Sequence, residues 1–267
     1  MKTRIDREHW ERKEYFDFFG SFGEPFWGIN FSVDISGVRE FAADSRISLF
    51  TCLLYGIMKA ANAQENFRYR IEENDIVLYD RIHPSFTVAR EDRSFCFAFT
   101  EYTENFQVFA ENLAKEIARV KKMKGLFTSE NDRRADVVHF SAIPWIPFTG
   151  LTHARNFAFR DSAVKISTGK IEFKDGAFLM PLACYAHHGF ADASHIGAFY
   201  ENLHELFRTF GSGEDSIRLD RKIHFAELSG GRLADLHFPE NALYYFRQRA
   251  SALRKSVNNN KRIHFAS

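Results

Sequence analysis

Trp27, Ile29, Phe31, Val33 and Ile35 alternate with Gly28, Asn30, Ser32 and Asp34. A period of two predicts a strand with one buried face. From 49 to 61 the chain is apolar nearly all round and too long for a strand, so it reads as a buried helix with Asp44-Ser45 as its start signal. Short apolar runs follow at 76–79, 85–89 and 95–99, divided by charged or proline-containing turns. That spacing predicts an antiparallel meander rather than βαβ units. Phe106, Phe109, Leu113, Ile117 and Val120 then step by three or four, while Lys115, Arg119, Lys121 and Lys122 face elsewhere. They predict an amphipathic helix capped by Thr103 and laid on a sheet. Strands are expected at 137–143, at 163–173 and, across a turn at Lys174-Asp175-Gly176, at 177–186. Ile196, Phe199, Leu203, Leu206 and Phe210 repeat at helical spacing, with Asp192 or Ser194 placed to cap the start. Interleaved helices and strands predict an α/β two-layer sandwich: a mixed, mostly antiparallel sheet covered by helices.

The chain has 267 residues, 45% of them hydrophobic and 27% charged, enough for a sizeable core without a disulfide or metal staple. With 36 basic and 35 acidic residues the net charge is +1, which offers no field to draw in nucleic acid or an acidic membrane. Nucleic acid is not an expected partner. Thirty Phe suggest broad apolar contacts, as in an aromatic-lined pocket or a subunit interface, beside the plainer reading of a Phe-rich core. Cys52, Cys96 and Cys184 lie far apart inside apolar runs and lack metal-ligand spacing, so they read as buried thiols, with no metal and no tightly bound cofactor expected. No stretch has signal-peptide or membrane-span character, and the chain reads as a soluble cytoplasmic protein.

Gly211-Ser212-Gly213-Glu214-Asp215 looks like a linker, dividing a domain at 1–210 from an extension at 211–267 of unknown function. From 241 onward the extension carries Arg247, Arg249, Arg254, Lys255, Lys261 and Arg262 and no acidic residue. A solvated helix with a frayed end is the expectation there, over docking to an acidic partner.

Candidate chemistry gathers at His187-His188-Gly189-Phe190-Ala191-Asp192, where a strand ends and a helix begins. A side chain there can project from a rigid scaffold. An HxxxD pattern alone is weak, since eleven histidines give it many chances and an Asp at that place serves equally as a helix cap. His188 could nonetheless act as a general base, which needs a neutral imidazole held in fixed orientation.

The company of this segment carries a resemblance. Trp10-Glu11-Arg12-Lys13-Glu14-Tyr15-Phe16, Asn66-Phe67-Arg68-Tyr69-Arg70-Ile71, the stretch from Tyr79 to Val88, Glu101-Tyr102-Thr103-Glu104-Asn105-Phe106, Ser141-Ala142-Ile143-Pro144-Trp145-Ile146-Pro147-Phe148, and Leu179-Met180-Pro181-Leu182 occur in order before the HHxxxD segment. Over about 9–210 the chain thereby resembles the chloramphenicol acetyltransferase family. The resemblance implies that family's fold, a homotrimer with active sites at subunit interfaces, and acetyl-CoA as co-substrate with a small hydroxylated acceptor. It implies O-acetyl transfer to chloramphenicol or a similar molecule, the antibiotic-resistance chemistry, with His188 as the general base in direct transfer without an acyl-enzyme. Asp192 matches the family's aspartate that pairs with the arginine matched here by Arg12. Ser167 falls where the family carries a threonine hydroxyl that holds a water, or else is a surface strand serine. Residues that bind the co-substrate are not identified.

Three departures stand out. On this resemblance the oxyanion serine is expected at the position of Gly150, with Thr149, Thr152, a water or a backbone N–H as substitutes; loss of one such donor costs about 2.7–4 kcal/mol. Ala193 replaces a glycine after the aspartate and would be strained if that position needs positive φ. Phe19 replaces a tyrosine near the acceptor. The alternative reading is therefore a catalytically impaired, retired family member that serves as a trimeric binding or interaction scaffold.

Overall fold

A computed structural model describes residues 1–157 and 159–211, except for the side chain of Asp132. The extension expected at 211–267 lies, apart from Gly211, outside the described residues. Among the described residues, five α-helices and ten strands occur in the order β1 (Lys2–Arg4), α1 (Lys13–Phe19), β2 (Phe26–Asp34), α2 (Ser36–Ser45), α3 (Leu49–Ala63), β3 (Tyr69–Glu72), β4 (Asp75–Tyr79), β5 (His83–Ala89), β6 (Phe95–Phe99), α4 (Phe106–Lys121), β7 (Val137–Ala142), β8 (Lys165–Thr168), β9 (Glu172–Lys174), β10 (Ala177–His187) and α5 (Ala193–Arg208). The main sheet runs β2-β10-β8-β7-β5-β6, with β9 paired to β10, and a small sheet runs β1-β4-β3. The β5–β7 and β7–β8 pairs are parallel and the other pairs of the main sheet antiparallel, so the sheet is mixed and mostly antiparallel, with helices packed on it.

The apolar run at 49–61 is the centre of α3, and Cys52, Leu54, Ile57, Met58 and Ala61 are fully buried in the main core with Phe86, Val138, Ile166, Leu182 and Phe199. A satellite core joins Trp10, Phe16, Tyr69, Ile76 and Phe190 beneath the end of β10. Arg70 is buried in the same region and donates to the carbonyls of Phe67, Tyr69, Ala135 and Val137. Those bonds let a guanidinium sit in the interior, although burial lowers its pKa to about 10.

Several local expectations need correction. The N-cap of α4 is Asn105, whose side chain accepts from the Val108 N–H; the Thr103 hydroxyl instead accepts from the Asn105 N–H. Asp44-Ser45 closes α2, a helix the hydrophobic pattern did not suggest, and Ser48 precedes α3. The single strand expected at 163–173 is two, β8 and β9. The turn between β9 and β10 is tight: Asp175 and Gly176 have φ of 52° and 84°, the two positive angles of a type I′ hairpin.

Candidate active site

The segment from His187 to Asp192 leaves β10 and enters α5 with nearly every backbone group accounted for. Arg12 donates through Nε to the Gly189 carbonyl at 3.1 Å and through Nη2 to the His188 carbonyl at 3.4 Å. Asn66 Nδ2 donates to the Phe190 carbonyl at 2.7 Å, and Trp27 Nε1 to the Ala191 carbonyl at 2.8 Å. On the donor side, the His188 N–H bonds to the Pro25 carbonyl at 2.8 Å, and the Phe190 and Ala191 N–H groups bond to the His187 carbonyl. Arg12, Trp27 and Asn66 thus hold four consecutive carbonyls. Each bond removes a way for the loop to move, which is how a scaffold fixes a functional side chain.

Gly189 permits this closeness, because a Cβ there would lie 2.8 Å from the Phe16 Cα and 3.1 Å from the His187 ring. His187 is buried, and its Nδ1 accepts from the Gly189 N–H at 3.1 Å. Burial, then the positive charges of Arg155 and Arg160, lower its pKa to about 4, so the ring is neutral and structural at neutral pH. His188 is half-buried, its ring stacked on Phe19 at 3.8 Å between centroids and on Trp27 at 4.8 Å. Its Nδ1 is shielded from solvent and has no hydrogen-bond partner among the described residues.

Arg12 also meets Asp192, Nη1 to Oδ2 at 3.1 Å, with the arginine buried and the aspartate partly exposed. The same carboxylate caps α5 by accepting from the Ser194 N–H at 3.1 Å and from the Ser194 hydroxyl at 2.6 Å. Burial works against its charge, but hydrogen bonds from Ser194 and Arg12 outweigh that and hold the carboxyl well below the ordinary carboxylate range. Both candidate uses of Asp192, ion-pair partner and helix cap, are therefore realised together. Ala193 opens α5 and is absent from the positive-φ positions among the described residues, so no backbone strain follows from its side chain.

Ser167 is 1% exposed on β8, which removes the surface-serine reading. Its hydroxyl is 3.0 Å from His153 Nε2. Burial, with Lys165 nearby, lowers the His153 pKa to about 4. Thr149 and Gly150 lie exposed in the loop after β7, and a Cβ on Gly150 would meet nothing within 4 Å. Ser141 on β7 is the register partner of Ser167, on an adjacent strand about 4.8 Å away, so the two side chains share one face of the sheet. The placement of Ser141 is not legible in the Ser141-Ala142-Ile143-Pro144-Trp145 segment itself, since it takes the pairing of β7 with β8 to set it beside Ser167. The roles of Asn66 and Trp27 as holders of the histidine loop are likewise not legible in the sequence.

Among the described residues, no group of three or more His, Cys, Asp or Glu is placed to hold a metal ion, and no helix is long and apolar enough to cross a membrane. Comparison with known proteins agrees with this architecture. A chloramphenicol acetyltransferase of Campylobacter coli is 30% identical over 207 residues, spanning 76% of this chain and 97% of its own. One from Clostridium perfringens is 28% identical over 207 residues, spanning 76% and 93%. A solved chloramphenicol acetyltransferase structure superposes with a TM-score of 0.73 at 31% identity, covering 78% of this chain and all of its own. The family model for chloramphenicol acetyltransferase matches residues 1–204, and the chain belongs to that family.

Proposed function

We propose that the protein transfers an acetyl group from acetyl-CoA, the family's co-substrate, directly to a hydroxyl of chloramphenicol or a similar small molecule, with His188 as general base. The observation that carries this reading is the histidine loop: a ring fixed between Phe19 and Trp27, on a backbone whose carbonyls are held by Arg12, Asn66 and Trp27. Because Nδ1 is shielded, proton transfer falls to Nε2. It takes the hydroxyl proton as the acceptor oxygen bonds to the thioester carbon. The tetrahedral intermediate then collapses, the C–S bond breaks, and the imidazolium returns the proton to the departing sulfur of CoA.

The developing oxyanion needs a donor, and the Ser141 hydroxyl, which makes no hydrogen bond among the described residues, fills the role that the resemblance alone assigned to position 150. Ser167 lies beside it and completes a pair of hydroxyls on one face of the sheet. Arg12 and Asp192 act architecturally. We further propose a homotrimer with its sites at subunit interfaces, in keeping with the exposed Phe18, Phe22, Trp145, Ile146, Phe157 and Phe159.

The retired-scaffold alternative rests on Gly150, Ala193 and the extension. With Ala193 unstrained and a hydroxyl at Ser141, the enzymatic reading is the better supported. The test is CoA thiol release from acetyl-CoA by the purified protein with chloramphenicol and a panel of small alcohols, beside His188→Ala. Turnover that the substitution abolishes is the expected result. A folded protein that releases no thiol with any acceptor would favour the scaffold instead.

A further inference from the structure

The sheet face that carries Ser141 and Ser167 is unusually charged. Lys165 is the next residue of β8 on that face, about 7 Å along the strand from Ser167. Its ammonium lies 2.5 Å from Asp161 Oδ2, and Arg155 Nε lies 3.4 Å from the same oxygen. Arg155 Nη1 reaches Glu24 at 2.8 Å, while the guanidinium rests 3.6 Å over the Phe26 ring and the lysine 5.1 Å from it. His153 closes the cluster on the Ser167 hydroxyl.

The burial of these groups is uneven. The Arg155 and Lys165 side chains are 6% and 7% exposed and Asp161 is 17%, whereas Glu24 is 44% exposed at the rim. Two deeply buried cations therefore share one buried carboxylate. Among the described residues, His153 Nδ1 has no hydrogen-bond partner, and Arg155 Nε, although 3.4 Å from Asp161 Oδ2, makes no hydrogen bond. A buried cation with an unused donor is costly unless an anionic group completes it. Glu24 is held by an ion pair to Arg155 and a bond from the Phe26 N–H, and its side chain is more exposed than those of Arg155, Lys165 and Asp161.

We propose that Arg155, Lys165 and His153 make the acceptor end of the site selective for an alcohol bearing a carboxylate or similar anionic group, which takes the place of the Glu24 carboxylate on Arg155. The proposal rests on the acetyl-transfer reading for placing the acceptor beside Ser167. Within the small hydroxylated acceptors of that reading, it narrows the preferred class to those that carry a negative charge, over neutral ones such as chloramphenicol itself. The anion sits at Arg155 and Lys165, and the reacting hydroxyl about 7 Å away, near Ser141 and Ser167.

Calorimetric titration of the full chain with 4-(hydroxymethyl)benzoate and with its methyl ester tests the charge preference without requiring turnover. The carboxylate is expected to bind at least tenfold more tightly than the ester. Arg155→Gln and Lys165→Met should each bring that ratio close to one, and Arg155→Lys should keep part of it, with melting temperatures confirming that the variants fold. The proposal is overturned if the ester binds as tightly, if neither probe binds, or if the preference survives in both charge-removing variants. Failure here is distinct from failure of the acetyl-transfer reading. A chain that acetylates neutral alcohols and ignores the carboxylate sinks the charge preference alone, whereas one that prefers the carboxylate but never releases CoA sinks the reaction.

Discussion

Asn66 Nδ2 lies 2.7 Å from the carbonyl of Phe190, joining a residue just ahead of β3 to the loop that carries His188. That carbonyl has no other hydrogen-bond donor among the described residues, so removing the amide leaves a half-buried acceptor bare. Asn66→Ala is expected to cost about 1–3 kcal/mol of stability and to lower kcat more than it raises KM, measured by urea unfolding and thiol-release kinetics. Unchanged kcat would show that the Arg12 and Trp27 bonds suffice to place the ring.

At Gly189 the issue is space. A methyl group there meets the Phe16 backbone at 2.8 Å, and backbone cannot rotate aside as a side chain can. Gly189→Ala should destabilise by about 1–3 kcal/mol and displace His188 from its stack on Phe19, seen as a lower unfolding midpoint with loss of turnover.

Ser141 and Gly150 make opposing tests of the oxyanion donor. Ser141→Ala should lower kcat by about 10²–10³ with the fold intact. Gly150→Ser adds a side chain into open space and should change neither stability nor rate appreciably. The reverse pattern of rates would return the role to position 150.

Acid stability follows from two imidazoles that the fold keeps neutral, His187 buried and His153 half-buried. His187 and His153 have pKa values of about 4 against an ordinary 6.5, chiefly through burial. Between those values the unfolded chain binds protons that the folded chain refuses. The stability these rings contribute is therefore complete above pH 6.5 and is lost as pH falls toward 4, by up to about 1.4 kcal/mol per pH unit for each. Urea titrations from pH 7 to 4 should show this slope, and His187→Gln and His153→Leu should each flatten it.

A chain ended at residue 211 is expected to fold, since α5 and Phe210 already close the main core and the family match ends at 204. Insoluble protein from that truncation would show that the extension is part of the domain.

Most of the architecture could be read from periodicity, because α3, α5 and the strands β2, β5, β6 and β10 each carry a one-sided or wholly apolar pattern. What escaped was set by polar detail: whether Thr103 or Asn105 caps α4, or where the strand expected at 163–173 breaks. In the site, Arg12, His188 and Asp192 were visible as motif members. Asn66 and Trp27 were not, because their contribution is a single side-chain bond to a backbone more than 100 residues away, which no local pattern encodes. Ser141 acquires meaning only when β7 is laid beside β8.

The three cysteines bear on how the enzyme is best watched. Cys52, Cys96 and Cys184 form no disulfide and are buried, and burial pushes the Cys52 thiol up to about 12 and raises that of Cys184 as well. Thiolate, not thiol, attacks a disulfide reagent, so the folded protein should leave such a dye uncoloured. Colour in a coupled assay would then report CoA alone, and the same dye without substrate would become a clock for unfolding, three sulfurs appearing per chain as the core opens.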